Sequence, residues 1–171
     1  DRIADASALA GEILNAMPTV QAFTQEANEA RRFAARSETG FQAAVQRTRV
    51  RALLTAARPM AGQGRLVALF QPHLFTRTRD FAGAFGAALA LADEVVVLDV
   101  YPAREDPIAG VTGELVADAA RSAGARVTYV ADKRHAPGVL ARLLRPGDLA
   151  LTIGAGDVTA VGPATMAQVM K

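Results

Sequence analysis

Apolar residues along this chain keep one rhythm up to about Leu54 and another after it. In the first stretch they recur at helical spacing: Ile3, Leu9, Ile13 and Leu14, then Val20, Phe23, Ala27, Phe33, Phe41 and Val45 beyond Pro18. Pro18 has no amide hydrogen to donate, so it kinks the helix or lets a second one begin at Thr19. Gly40 weakens the middle of that second helix by about 1 kcal/mol relative to alanine. The pattern predicts an N-terminal helical arm over residues 1–54, whose apolar stripe needs a partner surface on the rest of the chain or on another copy.

From Thr55 the rhythm changes to short unbroken apolar runs separated by helical stretches. We read a short helix through Ala61, strand Leu66 to Phe70, helix Arg79 to Ala92, strand Val95 to Val100 and helix Gly113 to Ala123. Strand Val127 to Val130, helix Pro137 to Leu144, strand Leu149 to Ile153 and a last helix from about Thr159 complete the series. Runs this short, closed by Gly62 to Gly64, Gly124 and Pro146 to Asp148, fit strands buried on both faces. The fold class is therefore α/β: a Rossmann-like parallel sheet of about four strands with right-handed crossovers and helices on both faces, preceded by the arm. The commonest doubly wound order, 3-2-1-4, sets Leu66–Phe70 beside Leu149–Ile153. Their carboxyl ends then form a topological switch point, where ligands of such sheets bind.

Composition narrows the function classes. With 51% hydrophobic residues the chain is expected to fold, and its 19 basic and 17 acidic residues leave a net charge of only +2, too little to imply a nucleic-acid partner. It contains no cysteine and two histidines far apart, which gives neither a disulfide frame nor a zinc site. The longest uncharged apolar stretch, Phe81 to Ala92, is too short to span a bilayer, and no secretory signal opens the chain. A cytoplasmic protein is expected.

Candidate chemistry gathers where the strands end. After Leu66–Phe70 come His73, Arg77 and Arg79. A helix starting near Thr78, with Thr76 or Thr78 as its cap, would set both arginines by its unsatisfied amides, a corner suited to phosphate or carboxylate. The plainer alternative pairs Arg79 with Asp80 or Asp106 and leaves His73 closing a turn. After Leu149–Ile153 come Gly154, Ala155, Gly156 and Asp157. Those glycines would let backbone amides approach a ligand, while Asp157 either caps the last helix or accepts from a hydroxyl or ammonium. Tyr101, Arg104, Glu105 and Asp106 share the loop after the second strand, which is otherwise an ordinary solvated loop with an Arg–Glu pair. His135 reads as surface.

Three motifs in order, FQPHLFTRTRDF, LDVYPAREDPIAGVTG and LTIGAGDVTAVGP, resemble the C-terminal domain of the Mur ligases, and in particular their L-alanine-adding branch in peptidoglycan synthesis. The resemblance covers residues 55–171. It implies a domain that faces UDP-N-acetylmuramate, L-alanine and ATP with Mg2+ in a complete ligase, with His73, Arg77, Arg79, Tyr101 and Arg104 toward substrate and Gly154 to Asp157 as a ligand loop. Many relatives carry arginine directly after the histidine, where this chain has Leu74. The stretch RIADASALAGEILNAMPTVQAFTQEANEARRF instead resembles the cytosolic loop and helix of an ABC exporter, so residues 1–54 and 55–171 read as two joined fragments.

The same comparison of motifs sets a limit on activity. The family's Asp-Tyr-Ala-His-His-Pro stretch is missing, and so is any G-x-x-x-x-G-K-S/T loop to cradle nucleotide phosphates. No ligase turnover is expected from this chain alone. Two classes remain: a substrate-facing domain of a ligase, or an interaction module that docks a partner through its helical arm.

Overall fold

A computed structural model describes Glu12, Arg31, Val45 and residues 48–154 and 156–170. Most of the expected arm, with Pro18 and Gly40, lies outside the described residues, as does Ala155. The chain divides into two compact units, Asp1–Gln46 and Arg47–Lys171. The second therefore begins upstream of the expected boundary at Thr55. Residues 48–57 form a helix, α1, whose Val50, Leu54 and Ala57 repeat at i, i+4 and i+7 and are 4%, 0% and 5% exposed in the core. The join expected near Leu54 thus falls inside a packed helix.

After α1 and a short 3-10 turn, Arg58–Ala61, the elements alternate: β1 (Leu66–Phe70), α2 (Phe75–Leu89), β2 (Glu94–Leu98), α3 (Glu114–Ser122), β3 (Val127–Val130), α4 (Ala136–Leu143), β4 (Leu149–Ile153) and α5 (Val161–Val169). All pairs are parallel and the order is β3-β2-β1-β4, the commonest doubly wound arrangement rather than the alternative 2-1-3-4. Phe70 is opposite both Val97 and Ile153, so β1 is the central strand whose end the neighbours frame.

Alternate residues divide the core. Leu66, Ala68, Phe70, Val95 and Val97 pack with α1, α2 and α3, whereas Val67, Leu69, Val96 and Leu98 pack with α4 and the start of α5. Burial on both faces explains why these strands are apolar without alternation, each leucine or valine contributing roughly 1.5–3 kcal/mol. Helices α2 and α3 approach so closely that a Cβ on Gly86 would lie 2.5 Å from the Ala119 carbonyl carbon.

Several element ends differ from expectation for local reasons. Helix α2 begins at Phe75, not Arg79, and neither Thr76 nor Thr78 caps it; its N-cap is Leu74 at φ 72°. The capping acceptor is Glu105 of the β2–α3 loop, which takes hydrogen bonds from the Thr76 amide (3.0 Å) and hydroxyl (2.5 Å). Thr78 lies inside the helix and donates its hydroxyl to the Leu74 carbonyl at 2.8 Å. Strand β2 stops at Leu98 because Asp99 Oδ1 accepts from the Val100 and Gly113 amides, both at 2.8 Å. Gly113 permits that approach, since a Cβ there would meet the Leu98 carbonyl at 2.0 Å. Helix α5 follows a 3-10 turn, Gly156–Ala160, and is capped by Ala160, not Asp157. Pro137 does occupy the first turn of α4. Among the described residues no helix is long and apolar enough to cross a membrane.

Candidate functional site

The β1–β4 and β1–β2 ladders both run past the strands into the loops. The Gln71 amide donates to the Ile153 carbonyl at 2.9 Å, the Tyr101 amide to Pro72 at 2.8 Å and the Leu74 amide to Tyr101 at 3.0 Å. These bonds draw the three strand-end loops together at the carboxyl edge of the sheet. The His73 and Tyr101 rings stack at a centroid distance of 5.8 Å and an angle of 16°. Tyr101 also abuts the glycine turn: a Cβ on Gly156 would meet its ring carbons at 3.0 Å, and one on Gly154 would meet Gln71 at 3.0 Å. Small residues at 154 and 156 are therefore what lets the β4 turn close against the other two loops.

Charge at this edge is unevenly satisfied. Burial first, then the neighbouring Arg77 guanidinium, push the His73 imidazole below its ordinary value, with Glu105 pulling the other way. Glu105 sits below the usual carboxylate range: burial raises it, but the hydrogen bonds from Thr76 and Phe75 and the charge of Arg77 outweigh that. Arg77 is half-buried in the first turn of α2 and has no hydrogen bond or ion pair among the described residues. Leu74 and Ala103, at φ 72° and 54°, put non-glycine residues in left-handed conformations in two of the three loops, a strain that gathers at ligand-facing turns.

Of the residues singled out from the sequence, His73, Arg77, Tyr101, Gly154 and Gly156 come together here. Arg79 is farther along α2 and pairs with Asp80 at 2.9 Å, the plainer of its two readings. Arg104 is exposed, and no Arg104–Glu105 pair forms, because Glu105 is engaged by Thr76. Asp157 accepts from the Lys133 ammonium of the β3–α4 turn. His135 is exposed.

Sequence reasoning passed over Gln71 and Lys133. Gln71 is only 6% exposed at the end of the central strand; its amide group reaches the Asp99 carbonyl at 3.4 Å, and its Oε1 has no partner among the described residues. A polar residue ending an apolar strand was the available signal. Lys133 carried none, because it meets Asp157 only through the fold. No cluster of three or more His, Cys, Asp or Glu that could hold a metal occurs among the described residues.

A parallel sheet ordered 3-2-1-4, with its loops meeting at the switch point, defines a doubly wound α/β domain, and the comparisons give the class: the chain belongs to the Mur ligase C-terminal domain family, whose model, described as Mur ligase, glutamate ligase domain, matches residues 31–156. That match begins at residue 31, upstream of Thr55, where the resemblance read from the sequence starts. Among individual proteins, the chain is 65% identical over 117 residues to a UDP-N-acetylmuramate–L-alanine ligase of Cutibacterium acnes, covering 68% of this chain and 25% of that one. It is 56% identical over 124 residues to the ligase of the same name from Streptomyces avermitilis, covering 72% and 27%. The chain thus spans about a quarter of the length of the curated relatives it matches. In fold it is similar to a crystallised domain described as that of a UDP-N-acetylmuramate:L-alanyl-gamma-D-glutamyl-medo-diaminopimelate ligase from Haemophilus ducreyi. The TM-score is 0.52 at 17% identity, over 72% of this chain and 83% of that one.

Proposed function

We propose that residues 47–171 are the amino-acid-adding domain of a UDP-N-acetylmuramate–L-alanine ligase, working in the cytoplasm on peptidoglycan precursors. The observation that carries this reading is the half-buried, unpartnered Arg77 beside the stacked His73 and Tyr101 and the Gly154 and Gly156 backbone, all at the switch point of a sheet in this family. Arg77, in the first turn of α2 where amides also favour an anion, binds a phosphate or carboxylate of the substrates. His73, held toward its neutral form, and the Tyr101 ring it stacks on give that ligand a flat wall. Asp157 accepts the ammonium of the incoming L-alanine once Lys133 yields it.

The Mur ligase family couples such a bond to ATP and Mg2+, which supply an acyl phosphate. The described residues hold no three-ligand metal cluster and the sequence no phosphate loop, so this chain does not fit a resident ATP–magnesium complex. Residues outside this chain would have to bring it.

Two phosphate-release assays test the proposal. Incubated with ATP, Mg2+, L-alanine and UDP-N-acetylmuramate, the chain alone should release no phosphate above background. Grafted into the Cutibacterium acnes ligase in place of the matching quarter, residues 47–171 should support L-alanine-dependent release. A folded graft without activity would contradict the assignment, and turnover by the isolated chain would contradict the division of labour.

A further inference from the structure

Helix α2 has no cap of its own. Its N-cap residue, Leu74, offers no side-chain acceptor, and its first turn contains no acidic residue. The opening amides of a helix have no partner within it, and here the partner comes from a residue 29 positions further along the chain. The Glu105 carboxylate accepts the Thr76 amide at 3.0 Å, the Thr76 hydroxyl at 2.5 Å and the Phe75 amide as well. Glu105 belongs to a tight turn in which its own amide donates to the Pro102 carbonyl at 3.0 Å and Ala103 takes φ 54°. A second tie lies just before the helix: the Leu74 amide donates to the Tyr101 carbonyl at 3.0 Å, and the Tyr101 ring stacks on His73. Residues 73–76 are thus each fastened to Tyr101 or Glu105, and Arg77 is the next residue along.

We propose that Glu105 is a positioning residue for the amino-acid-adding reaction: by holding the first turn of α2 against the β2–α3 loop, it sets Arg77 and His73 where the ligand meets them. This inference rests on the ligase function proposed above. Two observations separate it from the other roles a carboxylate can take. Glu105 is near enough to Arg77 for their charges to interact, yet the two form no ion pair among the described residues, because the carboxylate is spent on Thr76 and Phe75. A counter-ion would take the guanidinium; Glu105 takes the backbone that carries it and leaves the positive charge for an anionic ligand. Nor is it a ready substrate contact, since Oε2 serves the Thr76 amide and Oε1 the Thr76 hydroxyl. A side chain that acts in this way does so through geometry, and a misplacement of about 1 Å in a reacting site can cost on the order of a hundredfold in rate.

Phosphate release from variants of the grafted Cutibacterium acnes ligase, their fold checked by circular dichroism, tests the role. Glu105→Ala should lower kcat/KM by roughly tenfold. Glu105→Gln, whose amide oxygen still accepts from the Thr76 amide, should keep most of the activity. In an Arg77→Ala background, Glu105→Ala should cost little more, because a residue that acts through Arg77 then has nothing to position. Losses that simply add would overturn the inference. So would a glutamine variant as impaired as the alanine one, which would make the charge of Glu105 a direct participant. If Glu105→Ala does not fold, Thr76→Val, which removes the hydroxyl bond and keeps the carboxylate, takes its place in the same comparison. An active parent graft indifferent to Glu105→Ala would overturn this inference alone, whereas an inactive parent graft would overturn it together with the ligase assignment.

Discussion

At the amino end of the sheet Arg65 commits its side chain entirely to neighbours, whereas at the carboxyl end Arg77 makes no hydrogen bond or ion pair among the described residues. Arg65 bonds Asp148 through Nε (3.3 Å) and Nη2 (2.6 Å), Glu94 through Nη1 (3.4 Å) and the Leu143 carbonyl through Nη2 (2.6 Å), while its amide also reaches Asp148 at 3.1 Å. Arg126 joins through Glu94, and nearby Arg58 and the Leu66 amide engage Asp93. These contacts tie the start of β1 to the starts of β2 and β4. Across the sheet the loops hold, among the described residues, an arginine without a hydrogen bond or ion pair, a Gln71 oxygen without a partner and two left-handed non-glycine residues. A buried acceptor without a partner costs about 1–3 kcal/mol, so the carboxyl end is held in place by the rest of the fold and contributes little to it. One end closes its electrostatics among its own residues; the other leaves part of its polar groups unspent, as the proposed function requires.

Breaking the amino end should therefore cost stability most. Asp148→Ala removes the acceptor that Arg65 and the Arg145 amide share, and a loss of about 3 kcal/mol is expected in urea denaturation. An unchanged midpoint would mean that the clamp is ornamental. Acid should act through the same carboxylate. The hydrogen bond from Arg65 holds Asp148 at about 2 against an ordinary 3.8, so its contribution is complete above the unfolded value and fades as pH falls through about 2. The thermal midpoint should drop over that window. Asp148→Asn should flatten the drop without abolishing it, because Asp132 is likewise held at about 2 by hydrogen bonds from Arg134.

At the carboxyl end the expected effects on folding are small. Arg77→Ala should change stability by no more than about 0.5 kcal/mol, since no hydrogen bond or ion pair among the described residues depends on it. The smallest effect is a titration. His73 is depressed by burial and secondarily by Arg77, so removing the arginine should let its midpoint rise part of the way back, read from the imidazole proton shifts. No movement at all would place the guanidinium away from the ring.

Much of this sheet was legible because parallel strands buried on both faces are written as unbroken apolar runs, and Leu66–Phe70 and Leu149–Ile153 came out with the bounds that pattern gives. Their adjacency is that of the commonest doubly wound order, and with it Gly154 comes against Gln71 where the two strands end. What stayed hidden depends on contacts between segments far apart in sequence. Glu105 caps a helix that begins at Phe75, Lys133 finds Asp157 at the carboxyl edge, and Val50 and Leu54 join a core that local periodicity assigned to a separate arm. A cut after Leu54 would take two core side chains with it.

The central claim, that unspent charge at the carboxyl end serves ligands, is tested most directly by phosphate release from the grafted Cutibacterium acnes ligase carrying either Arg77→Ala, at a half-buried arginine of the carboxyl end, or Arg126→Ala, at an exposed arginine of the amino end. The first variant should lose at least about tenfold in kcat/KM while staying folded, as expected for an arginine bonded to an anionic ligand, and the second should match the parent graft. Equal activity in the two variants would contradict the account.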